Sequence, residues 1–198
     1  MHNGSHISTI KHNVSTSQRW RRNGHTGGIL WLTGLSASGK STLAMALELD
    51  LFDRNWQCVV IDGDNLRQGL CADLGFSPDD RAENVRRAGE MARMLAESGI
   101  IVIVALISPY QSDRDRIRRS AGSLFHEIWL SAGIDVCEAR DPKNLYKKAR
   151  AGEISEFTGI SSSYEAPNAA ELTIDTGTLD FQESLKVLRD YVERFTFL

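Results

Sequence analysis

The chain predicts a doubly wound α/β fold, a parallel sheet flanked by helices. Three observations carry this. Strand-length apolar runs alternate with amphipathic stretches from Ile29 onward. The run 100–106 is apolar throughout, as in a strand covered on both faces. Gly34-Leu35-Ser36-Ala37-Ser38-Gly39-Lys40-Ser41 follows the apolar run 29–33 and precedes a helical stretch. That is the strand–loop–helix setting of a phosphate-binding P-loop.

The elements follow in order. Residues 29–33 form the first strand, and a helix runs behind the loop to about Phe52. Cys58-Val59-Val60-Ile61 is a short buried strand ending at Asp62. Ser77-Pro78-Asp79-Asp80 starts a helix, with Ser as N-cap, Pro at the first position and acids in the first turn. Val85, Ala88, Ala92 and Leu95 are its apolar stripe, and Gly99 stops it. After the strand 100–106 the chain leaves through Ile107-Ser108-Pro109-Tyr110 into an Arg/Asp-rich helix at about 113–119. Ile128-Trp129-Leu130 and Leu172-Thr173-Ile174 predict two more strands, and a terminal helix spans roughly 181–195. There is no internal repeat and no linker, so residues 27–198 read as one domain behind a polar arm, 1–26. Residues 1–22 are rich in Ser, His and Arg and hold no acid. A polar arm is the reading adopted, with a trimmed targeting segment as its alternative.

Residues 141–168 are polar and weakly periodic, and carry Lys143, Lys147, Lys148 and Arg150. A loop region of this length inside one domain is expected to act, here as a mobile lid closing on phosphates; a solvated excursion is the plain alternative.

Composition excludes several function classes. With 198 residues, 41% hydrophobic and 25% charged, the chain suits one soluble domain. Its net charge of −3 gives no general nucleic-acid surface. No apolar run approaches the ~20 residues of a membrane span. Cys58, Cys71 and Cys137 sit singly, which argues against a metal cluster and for a reducing, cytoplasmic setting.

The loop residues suit their chemistry. Gly34 and Gly39 let the backbone wrap so that the amides of Leu35, Ser36, Ala37, Ser38 and their neighbours face an anion. The helix entered at Lys40, Ser41 and Thr42 adds its positive end. Lys40 can reach the β- and γ-phosphates, and the Ser41 hydroxyl is placed to bind Mg²⁺. A switch GTPase would show Asp-x-x-Gly and Asn-Lys-x-Asp, and a motor ATPase an acid ending the strand 100–106; none occurs. The acid ends the second strand instead, in Asp62-Gly63-Asp64, as in small-molecule kinases. There it can take a proton from an acceptor hydroxyl or hold a Mg²⁺-bound water, unless it is only a helix cap. In such sheets the P-loop, Asp62 and Ser108, all at strand carboxyl ends, converge on one cleft.

The run 62–70, Asp73-Leu74-Gly75-Phe76-Ser77 and Arg81-x-Glu83-Asn84-x-Arg86-Arg87 resemble the adenylylsulfate kinases (APS kinases). So do Ile107-Ser108-Pro109-Tyr110, Cys137-Glu138-Ala139-Arg140-Asp141-Pro142-Lys143, the run 145–154, Phe157-Thr158-Gly159-Ile160 and Tyr164-Glu165-Ala166-Pro167. The resemblance covers about 30 to 175. It implies the P-loop kinase fold as a homodimer. It also implies transfer of the ATP γ-phosphoryl to the 3′-hydroxyl of adenosine 5′-phosphosulfate (APS), giving 3′-phosphoadenylyl sulfate and ADP, a step of sulfate activation. On this pattern Phe76 and Phe157 sandwich the APS adenine, and Arg67, Arg81 and Lys147 meet the phosphosulfate. Asp64, Asn84 and the Ile107 backbone serve adenine and ribose, and Arg150 contacts ATP. Ser108 takes the family's phosphoserine position, although direct in-line transfer needs no covalent step and Ser108 then only orients substrate. Three departures stand out. Ala37 replaces a loop glycine, at little cost if its φ is negative; Asn144 replaces a glycine after Pro-Lys; and Ser131-Ala132-Gly133 replaces Asp-Thr-Pro. Two alternatives remain: a kinase for another small hydroxyl, and a nucleotide-gated binding protein using the lid as its signal.

Overall fold

In the computed structural model, which describes residues 12–196, five strands form one all-parallel sheet. The strands are β1 (Gly28–Thr33), β2 (Cys58–Asp62), β3 (Ile101–Ala105), β4 (Phe125–Leu130) and β5 (Leu172–Ile174), in the order β2-β3-β1-β4-β5. Central β1 pairs Leu30 with Ile103 on one side and with His126 on the other, and is buried along its whole length.

Alternation along these strands feeds two cores. Ile29, Trp31, Val102 and Val104 pack against Val85, Ala88 and Ala92 of α4 (Pro78–Glu97) and Ile117 of α5 (Gln111–Ala121). Leu30, Leu32, Ile101 and Ile103 pack against Leu43, Leu47 and Leu51 of α2 (Lys40–Asp53) and Leu188 and Val192 of α8 (Phe181–Thr196). Helices thus cover both faces. The connection from β1 leaves to one face and that from β3 to the other, opening a crevice between the ends of these neighbours.

Ser77 caps α4 as expected, its Oγ accepting from Asp80 N, with Pro78 following. Gly89 on this helix is required by packing. A Cβ there would lie 2.1 Å from Ile117 Cδ1 and 2.7 Å from its Cγ1. Gly89→Ala is therefore expected to destabilise the fold by about 1–3 kcal/mol through overpacking, read from the urea midpoint.

Two segments differ from expectation. Residues 1–11 of the polar arm lie outside the described residues, but Thr16–Asn23 form a helix, α1. Ser15 and Gln18 make a reciprocal capping box, Gly24 ends the helix at φ 75°, and Asn23 Nδ2 donates to Gly99 O at 2.9 Å. Local caps thus outweigh the polar composition. The 141–168 segment carries its own apolar nucleus. Tyr146 of α7 (Leu145–Arg150) is fully buried and meets Phe157 edge-on at 5.0 Å, beside Cys137 of α6 (Ile134–Arg140).

Candidate active site

Loop, strand ends and the 141–168 segment enclose a cleft of about 1030 Å³. Its floor is the P-loop. Gly34 (φ 151°) cannot carry a side chain, because a Cβ would sit 2.6 Å from Leu130 O. Gly39 precedes α2 at φ 96°. Ala37 adopts φ 61°, not the negative value that would make it a free replacement for glycine. The loop's inward wrap needs the left-handed conformation there, and Ala37 accepts a cost of about 1–2 kcal/mol. Asn144 likewise adopts φ 54°.

Ser36 to Thr42 line the cleft, while Gly34 and Leu35 do not. Leu35 packs against the apolar nucleus of the 141–168 segment. Lys40 is 8% exposed, and its Nζ donates to Gly34 O (2.9 Å), Leu35 O (2.6 Å) and Ser38 Oγ (3.4 Å). Burial pushes its ammonium down to about 8, partly opposed by nearby acids including Asp62. Asp62, at the end of β2, does two things. Its Oδ1 accepts from Asp64 N at 2.9 Å, capping the short helix α3 (Gly63–Leu66), and its Oδ2 accepts from Ser41 Oγ at 2.6 Å. One carboxylate oxygen of Asp62 thus caps α3 while the other meets the P-loop serine.

The opposite wall carries Asp64, Arg67, Phe76, Arg81, Asn84, Ile107 and Phe157. Phe76 is 61% exposed, with the Arg67 guanidinium 4.2 Å and the Arg81 guanidinium 5.7 Å from its ring centre. Arg67 donates to Gly75 O, and Arg81 donates to Phe76 O, Glu156 O and Thr158 Oγ1. Phe157 is mostly buried but borders the cleft. Asn84 lines the cleft at 3% exposure, and its buried Nδ2 has no hydrogen-bond partner among the described residues. Lys143 closes across the opening in an ion pair with Asp64.

Three further assigned residues, after Gly34 and Leu35, sit differently from expectation. Lys147 and Arg150 do not line the cleft; Arg150 pairs with Glu138 at 2.9 Å. On α7 the inward positions are Tyr146 and Ala149, which turns these cations outward. Besides Lys40, Arg67 and Arg81, the cations bordering the cleft are Arg140 and Lys143, in Arg140-Asp141-Pro142-Lys143. Their signal in the sequence was that run itself, directly before Asn144. Ser108 borders the cleft, but its hydroxyl is buried in a closed relay. Trp31 Nε1 donates to Ser108 Oγ (3.0 Å), Ser108 Oγ donates to Thr33 Oγ1 (3.1 Å), and Thr33 Oγ1 donates to Ile107 O (2.7 Å). Ser108 is 3% exposed, and its hydroxyl both accepts and donates a hydrogen bond inside the protein. These bonds tie the loop after β3 to β1.

The hydroxyl–carboxylate pair of Ser41 and Asp62 at the loop mouth is a hard-oxygen set suited to Mg²⁺. Among the described residues no group of three His, Cys, Asp or Glu could hold a metal ion by itself. The set therefore fits an ion that arrives with phosphate oxygens. No helix among those residues is long and apolar enough to cross a membrane.

A phosphate loop facing a strand-end carboxylate, across a cleft whose far wall is aromatic and cationic, defines a P-loop kinase of small molecules. The adenylylsulphate kinase family model matches residues 26–175. The adenylyl-sulfate kinase of Bacillus pumilus (strain SAFR-032) is 53% identical over 190 residues, covering 95% of this chain and 96% of the relative. That of Shewanella amazonensis (strain ATCC BAA-1098 / SB2B) is 51% identical over 189 residues, covering 95% and 96%. The Mycobacterium tuberculosis APS kinase CysC, solved in complex with AMPPNP and APS, superposes with a TM-score of 0.79 at 44% identity, covering 85% of this chain and 98% of that one. A hexameric APS kinase from Thiobacillus denitrificans superposes at 0.64 with 29% identity, covering 87% of this chain and 30% of that one. The chain belongs to the adenylylsulphate kinase family.

Proposed function

We propose that the protein transfers the γ-phosphoryl group of ATP to the 3′-hydroxyl of adenosine 5′-phosphosulfate, releasing ADP. The observation that carries this is that one cleft holds both the P-loop, with Lys40 and Asp62, and the exposed ring of Phe76 with the Arg67 and Arg81 guanidinium groups near it. A triphosphate suits the first wall. A purine attached to a strong oxyanion suits the second.

In this reading the backbone amides of residues 35–41 cradle the phosphates, and Lys40 leaves its carbonyl partners to meet the β- and γ-oxygens. Ser41 would hold Mg²⁺ beside Asp62, and the ion would neutralise the charge spread over the transferring group. Phe76 and Phe157 take the two faces of the APS adenine, and Asn84 Nδ2 gains an acceptor. Arg67 and Arg81 face the phosphosulfate. Asp64 and the Ile107 backbone complete the acceptor side. The bond from the 3′-oxygen to the γ-phosphorus forms as the bond from that phosphorus to the β–γ bridging oxygen breaks. The hydroxyl proton passes to the Asp62 carboxylate, which in this role is not a direct ligand of the ion, and then to solvent. Positioning and charge stabilisation carry the rate, with no phosphorylated Ser108 on the path. Lys147 and Arg150 are assigned to substrate only with the 141–168 segment in a further-closed arrangement. Three unpaired cysteines support a cytoplasmic setting, and the resemblance supports a homodimer, which sedimentation velocity tests.

ADP release with Mg²⁺·ATP should be stimulated by APS and not by AMP, GMP or gluconate. Gluconate-dependent turnover would instead identify a kinase for sugar acids. Absence of turnover with all four acceptors would favour the nucleotide-gated binder.

A further inference from the structure

Arg114 and Glu127 form an ion pair with 0% and 1% side-chain exposure, Nε to Oε1 at 2.6 Å. A buried pair of this kind is a poor way to gain stability, since apolar residues of equal volume do as well. What else the guanidinium holds is therefore informative. Its Nη1 donates to Ser108 O at 2.7 Å, and its Nη2 donates to Glu165 O at 2.7 Å and Gln111 Oε1 at 2.9 Å. One planar group thus joins the exit of β3 to the returning limb of the 141–168 segment.

The same two limbs are tied again beside it. Glu165 N donates to Pro109 O at 2.9 Å, and the Glu165 carboxylate accepts from Gln111 N at 2.6 Å. Tyr164 lies with its ring centre 5.8 Å from the Arg114 guanidinium carbon. Its hydroxyl reaches Thr33 Oγ1 at 3.0 Å, where Thr33 has already given its proton to Ile107 O. Ser108 itself sits at φ 40°, a left-handed backbone conformation that a non-glycine residue keeps only when its surroundings hold it. Arg114 holds its carbonyl, and Trp31 and Thr33 hold its hydroxyl. Among the described residues no hydrogen bond runs from Arg114 to the P-loop, residues 34–41.

We propose that Arg114, locked by Glu127, is a positioning residue for the acceptor: it sets the Ile107–Ser108–Pro109 wall and ties that wall to the Tyr164–Glu165 limb. This rests on the assignment of that wall to APS. Arg114 itself does not line the cleft.

Arg114→Lys keeps a cation for Glu127, but one ammonium cannot span Glu127, Ser108 O and Glu165 O together. The expected result is a KM for APS raised about tenfold or more, with the KM for ATP within about twofold of the unaltered enzyme. Tyr164→Phe removes one hydroxyl from the same seam and should raise the KM for APS about threefold, again with ATP spared. APS-dependent turnover by the unaltered protein, measured alongside, tests the functional assignment separately. Unchanged KM values in a folded Arg114→Lys, or equal rises for both substrates, would overturn the proposal. If Arg114→Lys does not fold, Tyr164→Phe decides: an unchanged KM for APS would overturn it, and a selective rise would support it.

Discussion

Lys40→Ala should lower kcat for APS-dependent ADP formation by about a thousandfold or more, because it removes a desolvated positive charge from the transferring phosphates. The melting temperature should move little. Lys40 is nearly buried, and its ammonium is satisfied by Gly34 O, Leu35 O and Ser38 Oγ. Losing those bonds is offset by no longer desolvating a charge. Turnover within tenfold of the unaltered enzyme would remove Lys40 from the chemistry.

The same group carries a pH signature. Burial holds the Lys40 ammonium at about 8 in the free protein, against 10.5 for an ordinary lysine. Between those values the unfolded chain binds more protons than the folded one, so this residue makes stability rise with pH across the window. Below about 8 it makes no further change, and its cost is constant. ATP reverses the preference, since a triphosphate favours the charged amine. ATP binding near pH 8.5 should therefore take up part of a proton, measured as a buffer-dependent calorimetric enthalpy, and Lys40→Ala should abolish that uptake. Affinity for ATP should weaken as pH rises above about 8.

The sheet and the phosphate loop could be read from the chain because their signals are local. Apolar runs of strand length need two covered faces, and glycine spacing fixes the loop. The helix Thr16–Asn23 was written just as locally, in Ser15, Gln18 and Gly24, but the Ser/His/Arg composition around it drew the reading toward an arm. Other features depend on contacts between distant segments. Which lid cations face the cleft follows from Tyr146 taking the buried position on α7, its hydroxyl donating to Ser36 O at 3.0 Å. Lys147 and Arg150 turn outward as a consequence. The direction of the Ser108 hydroxyl depends on Trp31, 77 positions away. Ala37 could be called harmless only by assuming its φ. Arg114 gave no signal beyond an Arg/Asp-rich helix, because its meaning lies in carbonyls from two other segments.

Phe76→Ala should raise the KM for APS about 5- to 150-fold, the range given by ~1–3 kcal/mol of base stacking, and change the KM for ATP little. The geometry sets this asymmetry. Phe76 lies on the wall opposite the P-loop and is 61% exposed, so its removal leaves no core cavity and the fold should survive. The ring also has a task in the free protein. The Arg67 guanidinium sits 4.2 Å from its centre, a cation–π contact that an incoming adenine must displace or share. That contact costs APS little if Arg67 swings to the phosphosulfate as the base arrives, exchanging one favourable partner for a charged one. Phe76→Leu separates the two contributions: it keeps apolar cover but not the flat face or its quadrupole, and should recover only part of the lost affinity. Equal rises in KM for APS and ATP would place Phe76 outside the acceptor site. Full recovery in Phe76→Leu would make its role simple burial rather than stacking.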